Sequence, residues 1–104
     1  MTYYELKLVR EAAQAGKVEY RGRRPSINVS NYGYDLSDVI YCLEHLSELD
    51  FDKTHYYKSG DIDDAYRFSY KRLTDDHFIV DKLYIKFCLL NDYMEIEIGS
   101  FKLN

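Results

Sequence analysis

The chain has 104 residues, which is enough for one folded domain with a single hydrophobic core. Hydrophobic residues make up 46% of it, charged residues 31%, and the formal net charge is -4, so the composition argues against a typical basic nucleic-acid-binding protein. No apolar segment approaches the roughly 20 residues of a membrane span or has the pattern of a signal peptide, which predicts a cytoplasmic protein without a membrane partner.

The charged residues are distributed unevenly along the chain. Acidic side chains dominate residues 35–64, whereas residues 1–34 carry more basic ones than acidic ones. The most basic stretch is RGRR, with Arg21, Arg23 and Arg24. Such a cluster can bind nucleic-acid phosphates or can lie in a solvated loop, and taken in isolation it favours the loop.

The N-terminal segment predicts a helix that ends at a glycine. Thr2 and Glu5 have the spacing of a capping box, and Gly16 is a typical residue for the C-terminal end. Apolar residues between these ends recur at helical spacing and predict a face turned to the core, which comprises Leu6, Val9, Ala12 and Ala13.

A second clear helix is predicted after the capping residue Asp35, in the segment LSDVIYCLEHLSEL. Between the two helices, KVEY is expected to be extended, and Pro25 is expected to open a short helical turn that ends near Gly33. The core-facing stripe of the second helix comprises Val39, Ile40, Leu43, Leu46 and Leu49.

From Thr54 onward the apolar period changes from helical to two, which predicts strands. The segment AYRFSYKRL places aromatic residues on one side of a strand and polar residues on the other, and TDDH is expected to turn the chain into the strand FIVDKLYIKFCLL. The aromatic side comprises Tyr66, Phe68 and Tyr70, and the polar side comprises Arg67, Ser69 and Lys71.

The turn of the last hairpin predicts the register of its strands. We place Asn91 and Asp92 at the two central positions of a tight turn. The expected pairs are then Leu89 with Met94, Phe87 with Ile96, Ile85 with Ile98, Lys86 with Glu97 and Tyr84 with Gly99. One face of the hairpin is apolar in this register, and Tyr84 is accessible because it lies opposite a glycine.

Together these elements predict one α+β domain over residues 1–104. Two or three N-terminal helices are expected to pack on one face of a C-terminal antiparallel sheet, in two layers. The other face of the sheet is then free to carry the function.

The usual motifs of enzymes are missing from the sequence. There is no glycine-rich phosphate loop and no metal-ligand spacing, so neither a cofactor nor a metal ion is expected. His45, His55 and His77 are assigned to a helix and two turns, which argues against a histidine-based catalyst. Cys42 and Cys88 lie in apolar segments and are expected to be buried thiols, with a disulfide as the less favoured alternative.

Short motifs follow one another in a distinctive order along nearly the whole chain. They are AGKV, YGYDLSDVIYCLEHL, LSELDF, YYKS, DDAY, LYIK and SFK. In this order and spacing they resemble the motility quorum-sensing regulator toxins, which are bacterial ribonucleases with a RelE-like fold. The resemblance implies the toxin of a type II toxin-antitoxin system, which cleaves mRNA and is held by a cognate antitoxin that carries a helix-turn-helix DNA-binding domain.

The resemblance also implies functional residues. The lysine of the family's YKS motif corresponds to Lys58, the tyrosine of its YLK motif to Tyr84, and the lysine of SFK to Lys102. A functional glutamine of the family corresponds to Asp63, which we include among the catalytic candidates. A carboxylate repels a phosphate, so replacing Asp63 with glutamine is expected to raise activity.

Residues of these types can cleave RNA without a metal ion. The 2′-hydroxyl attacks the adjacent phosphate when a base takes its proton and cations stabilise the charge on the phosphoryl oxygens. Lys58, Lys86 and Lys102 are the candidate cations. Tyr84 can exchange a proton, because ammonium groups favour the phenolate, or it can stack against a nucleobase. The RNA-binding candidates are Lys86, Arg67, Tyr66 and Arg24.

Each assignment has a purely structural alternative. Lys86 can form a cross-strand ion pair with Glu97, and this is the favoured interpretation. Strict alternation sends Lys102 to the apolar face, unless a bulge at Gly99 shifts the register by one residue. The remaining alternatives are a solvated turn for Lys58 and a half-buried strand position for Tyr84.

The predicted function is a metal-independent endoribonuclease, an mRNA interferase that inhibits translation and growth. The alternative is a non-catalytic protein-interaction module, or a degenerate toxin, that binds a protein through its acidic middle segment. Matching residues at Lys58, Tyr84 and Lys102 favour the ribonuclease, whereas Asp63, Glu97 and the net charge of -4 favour the alternative.

Overall fold

Three helices precede most of a five-stranded sheet along the chain, as the α+β prediction requires. The computed structural model describes all residues, 1–104. The elements in chain order are α1 (Leu6–Gln14), β1 (Val18–Tyr20), α2 (Arg24–Asn31), α3 (Leu36–Glu44), a short 3-10 helix (Glu48–Asp50), β2 (Phe51–Tyr56), β3 (Ile62–Thr74), β4 (His77–Leu90) and β5 (Glu95–Leu103).

The strands are arranged in the order β1-β5-β4-β3-β2. The four longer strands pair antiparallel to one another. The segment KVEY is extended as predicted, and as β1 it pairs parallel to β5, with Val18 opposite Ile96. The sheet is therefore mixed, because this N-terminal segment supplies a parallel edge strand.

The start of α1 differs from the prediction. The helix has Glu5 at its N-cap without a side-chain hydrogen bond, so the capping box of Thr2 and Glu5 is wrong. The preceding segment is held by the buried Asp64, whose carboxylate accepts hydrogen bonds from the backbone N–H groups of Tyr3 and Tyr4 at 2.8–3.1 Å. A carboxylate from a distant part of the chain therefore satisfies these donors in place of a local cap.

The cap of α3 is confirmed, but its end lies earlier than predicted. The Asp35 carboxylate accepts from the backbone N–H of Asp38 at 3.2 Å, and Asp38 accepts in return from Asp35 at 2.9 Å. The helix ends at Glu44. Leu49 consequently lies in the 3-10 helix and is 96% exposed, so its assignment to the core stripe is wrong.

The turn between β4 and β5 is longer than the predicted two-residue turn. It spans residues 91–94, and three consecutive residues have positive φ angles, namely Asn91, Asp92 and Tyr93. The register therefore shifts by two residues at the start of the hairpin. The observed pairs are Leu89 with Ile96, Phe87 with Ile98, Lys86 with Ser100, Ile85 with Phe101 and Tyr84 with Lys102. The predicted pairs of Lys86 with Glu97 and of Tyr84 with Gly99 are wrong for this reason.

The bulge predicted at Gly99 is present. Phe87 pairs with Ile98 and Lys86 pairs with Ser100, so Gly99 is the extra residue on β5. This insertion moves the following residues to the opposite faces, and Lys102 comes to lie directly across from Tyr84.

One face of the sheet is covered by the helices, and the other is not. Tyr66, Phe68 and Tyr70 lie on the covered face, as their alternation predicted. Cys42 and Cys88 are free and buried. None of the helices combines the length and the hydropathy that crossing a membrane would need. The two-layer arrangement thus leaves one broad sheet surface for binding.

Candidate active site on the open face of the sheet

The uncovered side of the sheet, which we call the open face, gathers basic and aromatic side chains from four strands. Alternation along each strand and the pairing of the strands place them there. The open face carries Lys53 and His55 from β2, Arg67 from β3, Tyr84 and Lys86 from β4, and Lys102 from β5.

A hydrogen bond between His55 and Tyr84 lies at the centre of this face. The Nε2 atom of His55 is 3.1 Å from the hydroxyl of Tyr84, and both residues are half-buried. The imidazole ring is also nearly parallel to the ring of Tyr57, with centroids 6.3 Å apart. His55 lies in β2, so its assignment to a turn is wrong, because β2 continues to Tyr56.

The surroundings of His55 favour its neutral form. Partial burial lowers the pKa of the imidazole below its usual value, and the positive charges of Lys86 and Lys53 lower it further. Since an unperturbed histidine titrates near pH ~6.5, His55 is uncharged at neutral pH. Its Nε2 atom can then accept a proton.

The pKa of Tyr84 is shifted in the opposite direction to that of His55. Burial raises the pKa of its phenol, and although the charge of Lys86 lowers it, the effect of burial is larger. The expected influence of an ammonium group is thus present but does not produce a phenolate. A protonated Tyr84 can donate a hydrogen bond to His55, or to an anion placed on the open face.

Three cations surround this pair of residues. The guanidinium of Arg67, which also pairs with Asp52 at 3.2 Å, lies 5.6 Å from the centre of the Tyr84 ring, and the ammonium of Lys102 lies 5.2 Å from it. The ammonium of Lys86 lies 5.8 Å from the centre of the Tyr57 ring. Lys86 has no ion pair with Glu97, so the favoured interpretation of a cross-strand pair is wrong, because Ser100 lies opposite Lys86.

Lys58 lies apart from this cluster. It is exposed in the connection between β2 and β3 and makes none of the chain's hydrogen bonds or ion pairs. Lys53 is the β2 lysine that acts electrostatically on His55. The structure therefore brings Tyr84, Lys86, Lys102 and Arg67 together, and adds Lys53 to them.

Two RNA-binding candidates do not belong to the open face. Tyr66 is fully buried on the covered face, where its ring stacks against Phe87 at 5.6 Å, so it cannot contact RNA. The prediction for Tyr66 is wrong because alternation along β3 turns its side chain to the covered face, with Phe68 and Tyr70. Arg24 is exposed at the start of α2, in the helix layer.

Asp63 is committed to a structural role. Its carboxylate is fully buried and accepts two hydrogen bonds from the guanidinium of Arg21, both at 2.9 Å, and one from the hydroxyl of Tyr57 at 3.1 Å. Burial alone would raise the pKa of Asp63, but Arg21 and Tyr57 lower it below its usual range. The negative charge is thus neutralised inside the protein and is not presented to a phosphate.

Sequence reasoning missed His55, Lys53, Tyr57 and Arg21. The alternation of β2 carries a signal for the first two, because Lys53 and His55 are two residues apart and must share a face once β2 is known to begin at Phe51. Arg21 was assigned to a solvated cluster, yet it pairs with both Asp63 and Glu97. A long-range ion pair of this kind leaves no local pattern in the sequence.

No group of three or more histidine, cysteine, aspartate or glutamate side chains is arranged to hold a metal ion. Comparison of the chain with models of known protein families and with curated proteins yields no match. The similarity to the motility quorum-sensing regulator toxins therefore stays a prediction based on the motifs, and the geometry of the open face must support any function on its own.

Proposed function

We propose that this protein is a cytoplasmic, metal-independent endoribonuclease, which acts on mRNA as the toxin of a toxin-antitoxin system. The observation that supports this proposal is the hydrogen-bonded pair of His55 and Tyr84, surrounded by cations on the open face. A neutral imidazole within a positive surface is suited to deprotonate a hydroxyl next to a phosphate.

In the proposed reaction, Nε2 of His55 takes the proton of the ribose 2′-hydroxyl. The 2′-oxygen forms a bond to phosphorus as the bond from phosphorus to the 5′-oxygen breaks. The leaving 5′-oxygen takes a proton from the ammonium of Lys86, whose charge acts on both His55 and Tyr84. Water then takes the proton from His55 and returns one to Lys86, and the products end in a 2′,3′-cyclic phosphate and a 5′-hydroxyl.

The other residues of the open face stabilise the transition state. Negative charge develops on the non-bridging phosphoryl oxygens, and Arg67 and Lys102 supply positive charge around the Tyr84 ring. The hydroxyl of Tyr84, whose raised pKa keeps it protonated, turns from His55 to donate a hydrogen bond to one of these oxygens, which leaves Nε2 of His55 open to the 2′-hydroxyl. Tyr84 therefore acts by orientation and hydrogen bonding rather than as a base.

Incubation of the purified protein with RNA tests this proposal. We expect cleavage that continues in EDTA, with cyclic phosphate termini detected by end-group analysis. His55→Gln should abolish most of the activity, while Lys7→Ala, which removes an exposed lysine of α1, should retain it. Absence of cleavage, or cleavage equal in wild type and His55→Gln, would remove the ribonuclease assignment.

A second observation favours a protein partner, which we propose to be the cognate antitoxin. The far end of the β3–β4 hairpin exposes apolar side chains, with Leu73 62%, Phe78 66% and Val80 52% exposed. Exposed apolar clusters mark interaction sites in many proteins. Co-expression with the product of the adjacent gene, followed by purification of wild type and of Phe78→Asp, tests this surface. A complex that survives Phe78→Asp unchanged would exclude it.

A further inference from the structure

A concave feature separate from the open face lies at the end of the sheet where β3 begins and β4 ends. A cavity of about 660 Å³ opens there between the β2–β3 connection and the β4–β5 turn. Its wall is formed largely by aromatic rings and by paired charges, chiefly Tyr3, Tyr4, Tyr57, Tyr93, Arg21 and Glu97. The reaction described above does not use this cavity, which we call the tyrosine pocket.

We propose that the tyrosine pocket binds a nucleobase of the same RNA strand whose phosphate lies on the open face. This inference rests on the proposed function. Tyr57 connects the two places, because its ring lines the pocket, lies parallel to His55 and faces the ammonium of Lys86. A base next to the cleaved phosphate can therefore enter the pocket while the backbone stays among the cations.

The conformation of Tyr93 supports a binding role for the pocket. Tyr93 has a φ angle of 67°, a left-handed conformation that is rare for aromatic residues. Its ring meets Tyr4 edge to face at 6.2 Å but remains 49% exposed. A turn that glycine or asparagine would form more easily thus presents an aromatic ring to solvent, and such strained residues concentrate at functional sites.

The charges of the pocket favour a base over a phosphate. Arg21 is the cation of the wall, and it is already paired with Asp63 and Glu97. The Oε1 atom of Glu97 accepts this bond at 2.8 Å, whereas Oε2 takes part in none of the chain's hydrogen bonds. Asp61 and Asp92 add further carboxylates to the wall. Such a wall attracts base edges that carry amino groups and repels anions.

The aromatic rings and carboxylates of the pocket wall together predict a preference for bases that carry amino groups. Stacking on tyrosine is available to every base. Carboxylates accept hydrogen bonds from exocyclic amino groups, such as the 4-amino group of cytosine. Uracil has a carbonyl at the same position, which the carboxylates repel. Cytidine and uridine are thus a matched pair of probes for the tyrosine pocket.

Titration of the labelled protein with cytidine and uridine, followed by amide NMR, tests this proposal without any cleavage. We expect cytidine to shift the amides of residues 57–62 and 91–93 and to bind more tightly than uridine. Tyr93→Asn keeps a residue that tolerates the left-handed conformation, and it should weaken cytidine binding about tenfold through loss of one stacking partner. Tyr41→Asn, which removes an exposed tyrosine of α3, should leave binding unchanged.

Equal binding of cytidine by wild type and Tyr93→Asn, or no shift at these amides, would overturn the nucleobase pocket. The two proposals fail separately in this design. RNA cleavage without nucleoside binding would remove the pocket and leave the ribonuclease. Nucleoside binding at these amides without RNA cleavage would remove the ribonuclease and leave the pocket as a base-binding site.

Discussion

At the scale of single residues, the pair of His55 and Tyr84 combines a group that is easily kept neutral with one that stays protonated. Burial produces both effects, because it disfavours the charged form of each side chain. The positive charges of Lys86 and Lys53 reinforce the effect at His55. These two residues therefore keep complementary hydrogen-bonding roles across the whole neutral range.

The pH dependence of cleavage follows from this arrangement. His55 must be unprotonated to act as a base, and its pKa is lowered, so kcat/KM should rise with pH below neutrality, and the midpoint of this rise should lie below the ~6.5 of an unperturbed histidine. His55→Gln should lose about 100-fold in rate and also lose this acid limb. Tyr84→Phe should keep the limb and lose about tenfold. If the acid limb of the pH profile is unchanged in His55→Gln, the base must be another group.

The lysines of β2 and its following connection provide a second comparison. The motif resemblance implies a role for Lys58, whereas alternation along β2 puts Lys53 on the same face as His55, where its charge lowers the pKa of the imidazole. Lys53→Ala should therefore reduce kcat/KM more than Lys58→Ala, and it should raise the apparent pKa of the acid limb because a positive charge is removed from the surroundings of His55. Both variants should melt at similar temperatures, since both side chains are exposed. The reverse order of rates would favour the motif assignment.

At the scale of elements, the bulge at Gly99 joins the fold to the site. It turns Lys102 to the open face, and it leaves space for Arg21, since a Cβ atom at Gly99 would lie 2.5 Å from Nη1 of that arginine. The ion pair between Arg21 and the buried Asp63 thus depends on a missing side chain on the neighbouring strand. One residue sets both the register of β5 and the position of a guanidinium.

Substitutions at Gly99 and Asp63 should consequently be coupled. Gly99→Ala moves the end of the flexible Arg21 side chain, whereas Asp63→Gln removes the carboxylate, so Asp63→Gln should lower the free energy of unfolding by about 2–3 kcal/mol and Gly99→Ala by less. The sequence predicts that Asp63→Gln raises activity. Because the carboxylate is buried in an ion pair, we expect this substitution to destabilise the fold instead. The double variant should cost less than the sum of the two, as measured by urea unfolding. Additive losses would show that Gly99 acts independently of the ion pair.

The same elements show what the sequence could and could not predict. Helical spacing and the cap at Asp35 predicted α3, and alternation predicted the buried side of β3, because both patterns arise from neighbouring residues. The predicted register of β4 and β5 was wrong because the turn has four residues, three of which are non-glycine residues with positive φ angles that the sequence does not indicate. The parallel pairing of β1 and the ion pair of Arg21 depend on residues far apart in the chain, and no local pattern reports them.

At the scale of the whole molecule, the net charge of -4 conceals a separation of charges. Asp63 and Asp64 are fully buried, where they bind Arg21, Thr54 and backbone N–H groups. The open face presents its basic residues on the opposite side of the sheet from the helices. An anionic strand approaching this face therefore meets local positive charge, although the protein as a whole is acidic.

The salt dependence of RNA binding measures this local charge. Arg67 already pairs with Asp52, so if the unpaired Lys53, Lys86 and Lys102 neutralise about three phosphates, the logarithm of the binding constant should fall with the logarithm of salt concentration with a slope of about -2 for a single strand. Fluorescence anisotropy with 2′-O-methyl RNA gives this slope without cleavage, because the nucleophile is blocked. Lys102→Ala should make the slope shallower by about 0.7, whereas Lys7→Ala on α1 should not change it. A slope near zero, or equal changes in both variants, would mean that RNA does not bind to the open face, since only there do the strands bring these cations together.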